Sequence, residues 1–116
     1  VNQARIYPGF PFNDNLYCAN EHNIQTEAFL PPMNDVILNS NELTIFAKKY
    51  HTTPRAIATR YHLEKDCISL CSGKNEEELR QCFEAFNFDI SDTDMKFLDA
   101  MKNYGPENIN PDTCNF

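Results

Sequence analysis

Apolar residues recur along this chain in two alternating rhythms, short runs of strand length and longer stretches at helical spacing. Val1 to Tyr7 reads as a strand closed by Pro8-Gly9, and Ile24 to Phe29 as a second. Between them the polar stretch from Asn13 to Asn23 places Leu16, Tyr17 and Ala19 at helical spacing. Pro31-Pro32 ends the second strand, and the Asn- and Asp-rich stretch through Ser40 is expected to be loop. Glu42 to Tyr50 is expected as a helix with Ile45, Phe46 and Tyr50 turned inward. Thr53-Pro54 supplies an N-cap followed by proline at the first helical position, so another helix should start there and run to Lys65. Cys67 to Cys71 follows as a third strand. Leu79, Cys82, Phe83 and Phe86 recur at i, i+3, i+4 and i+7, which is one face of a helix. Ser91 with Asp94 resembles a capping box opening a last helix that carries Met95, Leu98 and Met101. Residues 105–116 have no periodicity and are expected to form an irregular tail, a mobile or surface-bound strap beside the body formed by residues 1–104.

Strand and helix alternating three times predict an α/β fold with about three parallel strands and covering helices. Two of those strands must be outer ones, exposing backbone donors and acceptors along apolar edges. The inner faces of Ile6, Ala28 and Leu70 cannot all be covered by 116 residues arranged this way, so other polypeptide is expected on both sides. Val1 falls inside a strand, and an upstream stretch is therefore expected, cut away or carried on another chain.

The formal charge of −7 argues against nucleic acid as a partner, since Lys48-Lys49 is too short to make a basic face. No run of about 18 apolar residues occurs, so membrane insertion is not expected. Five Cys, at 18, 67, 71, 82 and 114, leave one unpaired under any disulfide scheme, and their spacing fits neither a zinc ribbon nor a small disulfide scaffold. Cys67 and Cys71, in one strand, would stand about 13 Å apart, too far to bridge. They read as small buried thiols of a protein in the cytoplasm or another reducing compartment. His22, His51 and His62 lack a metal-binding spacing and read as solvated or satisfied side chains.

Four segments in fixed order carry a family resemblance: Asn2-Gln3-Ala4-Arg5-Ile6-Tyr7-Pro8, Ala28-Phe29-Leu30-Pro31, Leu70-Cys71-Ser72-Gly73 and Phe86-Asn87-Phe88. They resemble the Asn-Gln-Val-Glu-x-His-Pro strand, the Ala-Tyr-Ser-Pro strand end, the Pro-Lys-Ser loop and the Phe-x-Phe segment of aldo-keto reductases. Counting forward from Arg60-Tyr61 and backward from Phe86 gives the same register for the third loop. The resemblance implies the C-terminal portion of a (β/α)8 barrel, a TIM barrel, whose complete form needs about 250 residues. By this resemblance Gln3 stands where the family's Gln bonds the nicotinamide amide, and Phe29 where a Tyr stacks on the ring. Ser72 and Gly73 replace a Lys and Ser at the adenosine 2′-phosphate, Glu78 replaces the Arg that clamps it, and Gln81 and Cys82 replace a Glu-Asn pair at the adenine. Tyr7 stands at a non-catalytic His of the family and reads as packing.

The helix beginning after Asn75 opens with Glu76, Glu77 and Glu78, three carboxylates at the positive end of a dipole that would otherwise attract phosphate. Asn75 is expected to cap that helix and Glu78 to complete its capping box. The resemblance thus implies a degenerate NADP(H) site, with no cofactor expected. The leading function is that of a non-catalytic structural or interaction subunit. The alternative is part of an active NADPH-dependent carbonyl reductase whose catalytic residues lie on a missing segment or second chain.

Overall fold

The computed structural model of the chain describes residues 1–29 and 34–104. Its strands β1 (Asn2–Arg5), β2 (Thr26–Phe29) and β3 (Ile68–Leu70) are parallel and stand in the order β1-β2-β3. Each lies inside the run expected for it and is shorter, for a local reason. Tyr7 and Phe10 exchange backbone hydrogen bonds, so the Pro8-Gly9 turn ends the first ladder. Ile24 and Cys67 donate their N–H groups back to Ala19 and His62, closing the preceding helices before β2 and β3 begin.

The helices are α1 (Asn13–Glu21), α2 (Asn34–Leu38), α3 (Asn41–Lys49), α4 (Pro54–Glu64), α5 (Glu76–Phe83) and α6 (Asp92–Ala100), with a 3-10 turn at Glu84–Asn87. The short α2 corrects the expectation of loop through Ser40: Ile37 and Leu38 are buried, and core packing outweighs the local turn chemistry of Asn34 and Asp35. The Leu30-Pro31 part of the second motif and the 105–116 tail lie outside the described residues. In α3 the buried face is Leu43, Phe46 and Ala47, whereas Ile45 is 64% exposed, off the i, i+3, i+4 stripe. Tyr17 of α1 is likewise exposed while Leu16 and Ala19 are buried. Ser40, Thr53, Asn75 and Ser91 each accept a backbone N–H at the start of their helix, as the cap positions require. Asp94 does not return the bond expected of a capping box. Its carboxylate turns to Lys49 Nζ at 2.6 Å and Tyr50 Oη at 2.5 Å, tying α6 to α3, and the Ser91 N–H donates to the Tyr50 hydroxyl instead.

Among the described residues the helices cover the sheet on one side. Ala4 and Ala28, partnered in register with each other and with Ser69, point under the helices, as do Thr26 and Ile6. Gln3, Glu27, Ile68, Phe29 and Leu70 alternate onto the opposite face, where Ile68 and Leu70 are exposed. This corrects the grouping of Ile6, Ala28 and Leu70: the first two are fully buried by this chain's own helices, and Leu70 belongs to the other face. The core continues from Ile6 and Tyr7 through Ile37, Leu43, Ile57 and Tyr61 to Leu98. Tyr7 packs as expected and donates to Asn103 Oδ1 at 3.0 Å. Gly9, at φ 91°, is a position only glycine fills, since a Cβ there would stand 2.6 Å from the Lys102 carbonyl oxygen.

A buried histidine links the layers. His62 of α4 lies 2.6 Å through Nε2 from the Ile6 carbonyl and 2.7 Å through Nδ1 from Ser69 Oγ. A carbonyl can only accept, so Nε2 carries the proton and Nδ1 accepts from the serine hydroxyl. The neutral ring satisfies both strands, and burial pushes its pKa down to about 4. An unfolded histidine titrates near its ordinary value, so between that value and 4 only the unfolded chain gains a proton. Stability should therefore be intact above about pH 6.5 and fall by on the order of 3 kcal/mol as the pH drops toward 4. Denaturant melts across this window should show the slope, and His62→Gln should flatten it; equal slopes in both proteins would refute the assignment.

Three helices end alike. After α1, α3 and α4 the residues Asn23, His51 and Asp66 adopt φ near 55°, each donating to the carbonyl three residues back while the next residue donates five back. These are Schellman closures built without glycine. Asn and Asp tolerate the left-handed region, whereas His51, exposed at the same position, carries the fuller steric cost. His51→Gly should raise unfolding free energy by about 1 kcal/mol, and Asn23→Gly by less, read as a shift in the urea midpoint.

Candidate functional site

The uncovered sheet face and the loop after β3 hold the residues singled out in the sequence. Gln3 of β1 is exposed, and its Nε2 donates to Glu27 Oε2 at 2.8 Å, across the register pair joining the two strands. Phe29 is half-buried at the end of β2 on the same face, partnered with Arg5 and Leu70. The structure therefore brings Gln3 and Phe29 together on one surface.

Ser72 and Gly73 lie in the loop after β3, both exposed. The Ser72 carbonyl accepts from Arg55 Nη1 at 2.9 Å. Gly73 lets this loop press onto α5, because a Cβ there would stand 3.0 Å from Glu78 Cβ and 3.1 Å from the Leu79 nitrogen. Glu78 accepts from the Lys74 N–H at 2.6 Å and faces Arg55 Nη2 at 3.5 Å. Its own N–H donates to Asn75 Oδ1 at 2.9 Å. Asn75 thus caps α5 as expected, but Glu78 does not complete the box: the carboxylate reaches one residue further back and pairs with Arg55. Gln81 is half-buried one turn along, and Cys82 is buried, its Sγ donating to the Glu78 carbonyl at 3.5 Å.

Arg55 is the residue that the sequence reading passed over. It is buried in the first turn of α4, the positive end of a helix that carries no acid there. A cation in that position is unfavourable by itself, and the Ser72 carbonyl and Glu78 carboxylate compensate it from across the loop. An Arg directly after a helix-starting proline was the available signal. The first turn of α5 holds Glu76, Glu77 and Glu78, with Arg80 3.4 Å from Glu76 and 3.6 Å from Glu77 at the surface. Lys74 Nζ stands 3.9 Å from Asp35, both largely exposed.

Around these residues α5 presents Leu79 and Phe83 outward and the following 3-10 turn presents Phe86, at 42%, 69% and 69% exposure, with Cys82 alone of that expected face buried. The apolar period expected as one helical face runs past the end of α5 into the 3-10 turn, and nothing among the described residues covers most of it. His22 and His51 are exposed, and His62 is the satisfied core residue described above. Cys67 is buried as expected, whereas Cys71 is exposed because it leaves the sheet at the end of β3. Cys114 lies outside the described residues. No group of three or more metal-ligating side chains occurs among the described residues, and no helix there is long and apolar enough to cross a membrane.

Known proteins bear on this geometry. The family model for the aldo/keto reductase family matches residues 12–103. Aldo-keto reductase family 1 member C18 of Mus musculus is 39% identical over 66 residues, 57% of this chain and 20% of that protein. Aldo-keto reductase family 1 member C4 of Homo sapiens is 35% identical over 77 residues, 66% of this chain and 24% of that protein. The chain thus spans a fifth to a quarter of the length of these relatives. A mutant of Gox0644, solved in complex with NADPH, superposes with a TM-score of 0.83 at 25% identity, covering all of this chain and 44% of that one. The aldose reductase from Schistosoma japonicum, at 20% identity and TM-score 0.80, shares the fold over 93% of this chain and 36% of its own. Three parallel strands with their helices, matched to one part of such a barrel, and a family match over most of the sequence place this chain in the aldo/keto reductase family.

Proposed function

We propose that this chain is one arc of an aldo-keto-reductase-like barrel that has lost its grip on NADP(H) and serves as a structural or interaction subunit. Another polypeptide, or an upstream segment, completes the barrel. The observation that carries this reading is the start of α5. An anion site there needs free N–H groups and net positive charge. Here Asn75 and Glu78 accept the N–H groups of Glu78 and Lys74, and three carboxylates stand in the first turn. Arg55, the buried cation next to the loop, is directed to the Ser72 carbonyl and Glu78. The need for a complement is supported by β1 and β3, each paired on one side only among the described residues, and by the exposed Ile68, Leu70, Leu79, Phe83 and Phe86. A second reading, part of an active NADPH-dependent carbonyl reductase with its catalytic residues outside this chain, is favoured by Gln3 and Phe29 standing on one face.

NADPH titration of the native protein, followed by cofactor fluorescence, separates the two readings. With Ser72 and Glu78 in place of Lys and Arg, two charge-assisted contacts of about 1.5 to 3 kcal/mol each are missing, roughly a hundredfold to ten-thousandfold in affinity. NADH, which lacks the 2′-phosphate, should suffer less. Micromolar or tighter NADPH binding with preference over NADH would overturn the non-catalytic reading.

Restoring the grip is best attempted at Ser72 alone. Glu78→Arg would set a second cation against buried Arg55 and remove the acceptor for the Lys74 N–H. Ser72→Lys, exposed, leaves the Arg55 contact to the backbone carbonyl in place. It should strengthen NADPH binding by about tenfold or more without changing NADH binding. An equal response of both nucleotides would show that the 2′-phosphate does not reach this loop.

A further inference from the structure

At the carboxyl ends of the three strands Arg5, Phe29 and Leu70 form one row across the ladder, the last register partners of β1, β2 and β3. Alternation sets all three on the face away from the helices, where Arg5 and Leu70 are exposed with Phe29 half-buried between them. Neighbouring strands run about 4.8 Å apart, so a guanidinium, a flat aromatic ring and an aliphatic side chain stand side by side within the span of one small ring compound. In parallel sheets and barrels this end of the strands is where ligands are held.

Arg5 differs from the other arginines of the chain. Arg55 lies 3.5 Å from Glu78, Arg60 2.7 Å from Asp89 and Arg80 3.4 Å from Glu76. The chain has 17 acidic residues to 10 basic ones, yet no ion pair or side-chain hydrogen bond joins Arg5 to any described residue. The acid of the next row, Glu27, is its diagonal neighbour, and the Gln3 amide holds that carboxylate at 2.8 Å. An anion held by Arg5 is repelled by Glu27 below, which favours a ligand lying along the upper row with its ring on Phe29 and Leu70.

We propose that this row binds a small planar aromatic carboxylate, its carboxylate on the Arg5 guanidinium and its ring against Phe29 and Leu70. Arginine presents parallel N–H donors that match both oxygens of a carboxylate. Phe29 offers a flat face for offset stacking, and Leu70 adds apolar surface. A neutral ring of the same shape gains the stacking without the ion pair, and a cationic ring meets Arg5 unfavourably. The site uses the strand ends alone, so it goes beyond the loss of the phosphate grip at Ser72 and does not depend on it.

The test titrates the native protein, without nucleotide, with benzoate and with benzamide, two rings of one shape that differ in charge, and follows ligand line broadening by NMR. Benzoate should bind tighter than benzamide by about tenfold or more. Arg5→Gln, at an exposed position, should bring benzoate down to the benzamide level, and Arg5→Lys should restore part of the difference. Phe29→Leu should weaken both ligands, a readout that does not depend on the Arg5 variants. The proposal is overturned if the two ligands bind equally, or if neither binds, as when another polypeptide covers the row in the native protein. It is equally overturned if the preference for benzoate survives Arg5→Gln, or if Phe29→Leu leaves both affinities unchanged.

Discussion

The ring of His62 sits where the sheet and the helical layer must agree. One nitrogen holds the Ile6 carbonyl just beyond β1, the other holds Ser69 of β3, and the ring itself belongs to α4. An imidazole can donate to one strand and accept from the other only while neutral, so burial and hydrogen bonding enforce the same protonation state. The two outer strands are thereby gripped through one side chain from the covered face. Nearby, α4 is tied to α6 through Tyr61, whose hydroxyl donates to Asp99 Oδ1 at 2.5 Å, and Lys65, 3.0 Å from the same carboxylate. Burial, then Asp99, raises the Tyr61 pKa, so the phenol remains a donor throughout the physiological range. The helix α4 is the member through which strand positions and C-terminal helix positions are communicated.

The same helix explains why the loop after β3 is occupied from within. Arg55 stands at the positive end of α4, buried, and needs negative partners to remain there. The partners come from the start of α5, a place where an anion would otherwise find free N–H groups. Once Glu78 serves Arg55 and the Lys74 N–H, the local charge is balanced without any ligand, and an incoming phosphate would have to displace a carboxylate already held by two donors. Glu76 and Glu77 add surface repulsion that salt would screen, whereas the Arg55 contact lies mostly out of solvent. The buried pair is the more consequential of the two effects.

Much of this architecture was legible in the sequence because it rests on short-range signals. Thr53-Pro54, Asn75 and Ser91 marked helix starts by cap chemistry, and all three caps form. The three strands stood out by their brief apolar runs. What escaped depended on distance in the chain. The loop expected before Ser40 is helical since Ile37 and Leu38 find a core built by residues far away, and the Asp94 carboxylate abandons its own helix start for Lys49 and Tyr50. Arg55 follows a helix-starting proline, but its partner Glu78 lies 23 residues further on, and no local pattern links the two. The misgrouping of Leu70 with Ala28 has a different origin: strand parity alone decides the face, and the register pairs Ala28 with Ser69. Gln3 and Phe29, singled out by the resemblance, stand on one face of the sheet, and only the folded chain reveals that the Gln3 amide is engaged by Glu27.

The described residues keep the geometry of one part of a barrel although they contain only three strands. Their strands and helices follow the course of the Gox0644 chain at a TM-score of 0.83. One-sided packing supplies the physical reason. The small side chains Ala4, Ala28 and Ser69 form the row beneath the helices, while larger groups, Phe29, Ile68 and Leu70, stand on the other face. Small residues let α4 approach the sheet closely enough for His62 to reach both Ile6 and Ser69. The larger side chains of the opposite face stand apart from that contact. One distribution of side-chain sizes thus separates the packed face of the sheet from the more exposed one.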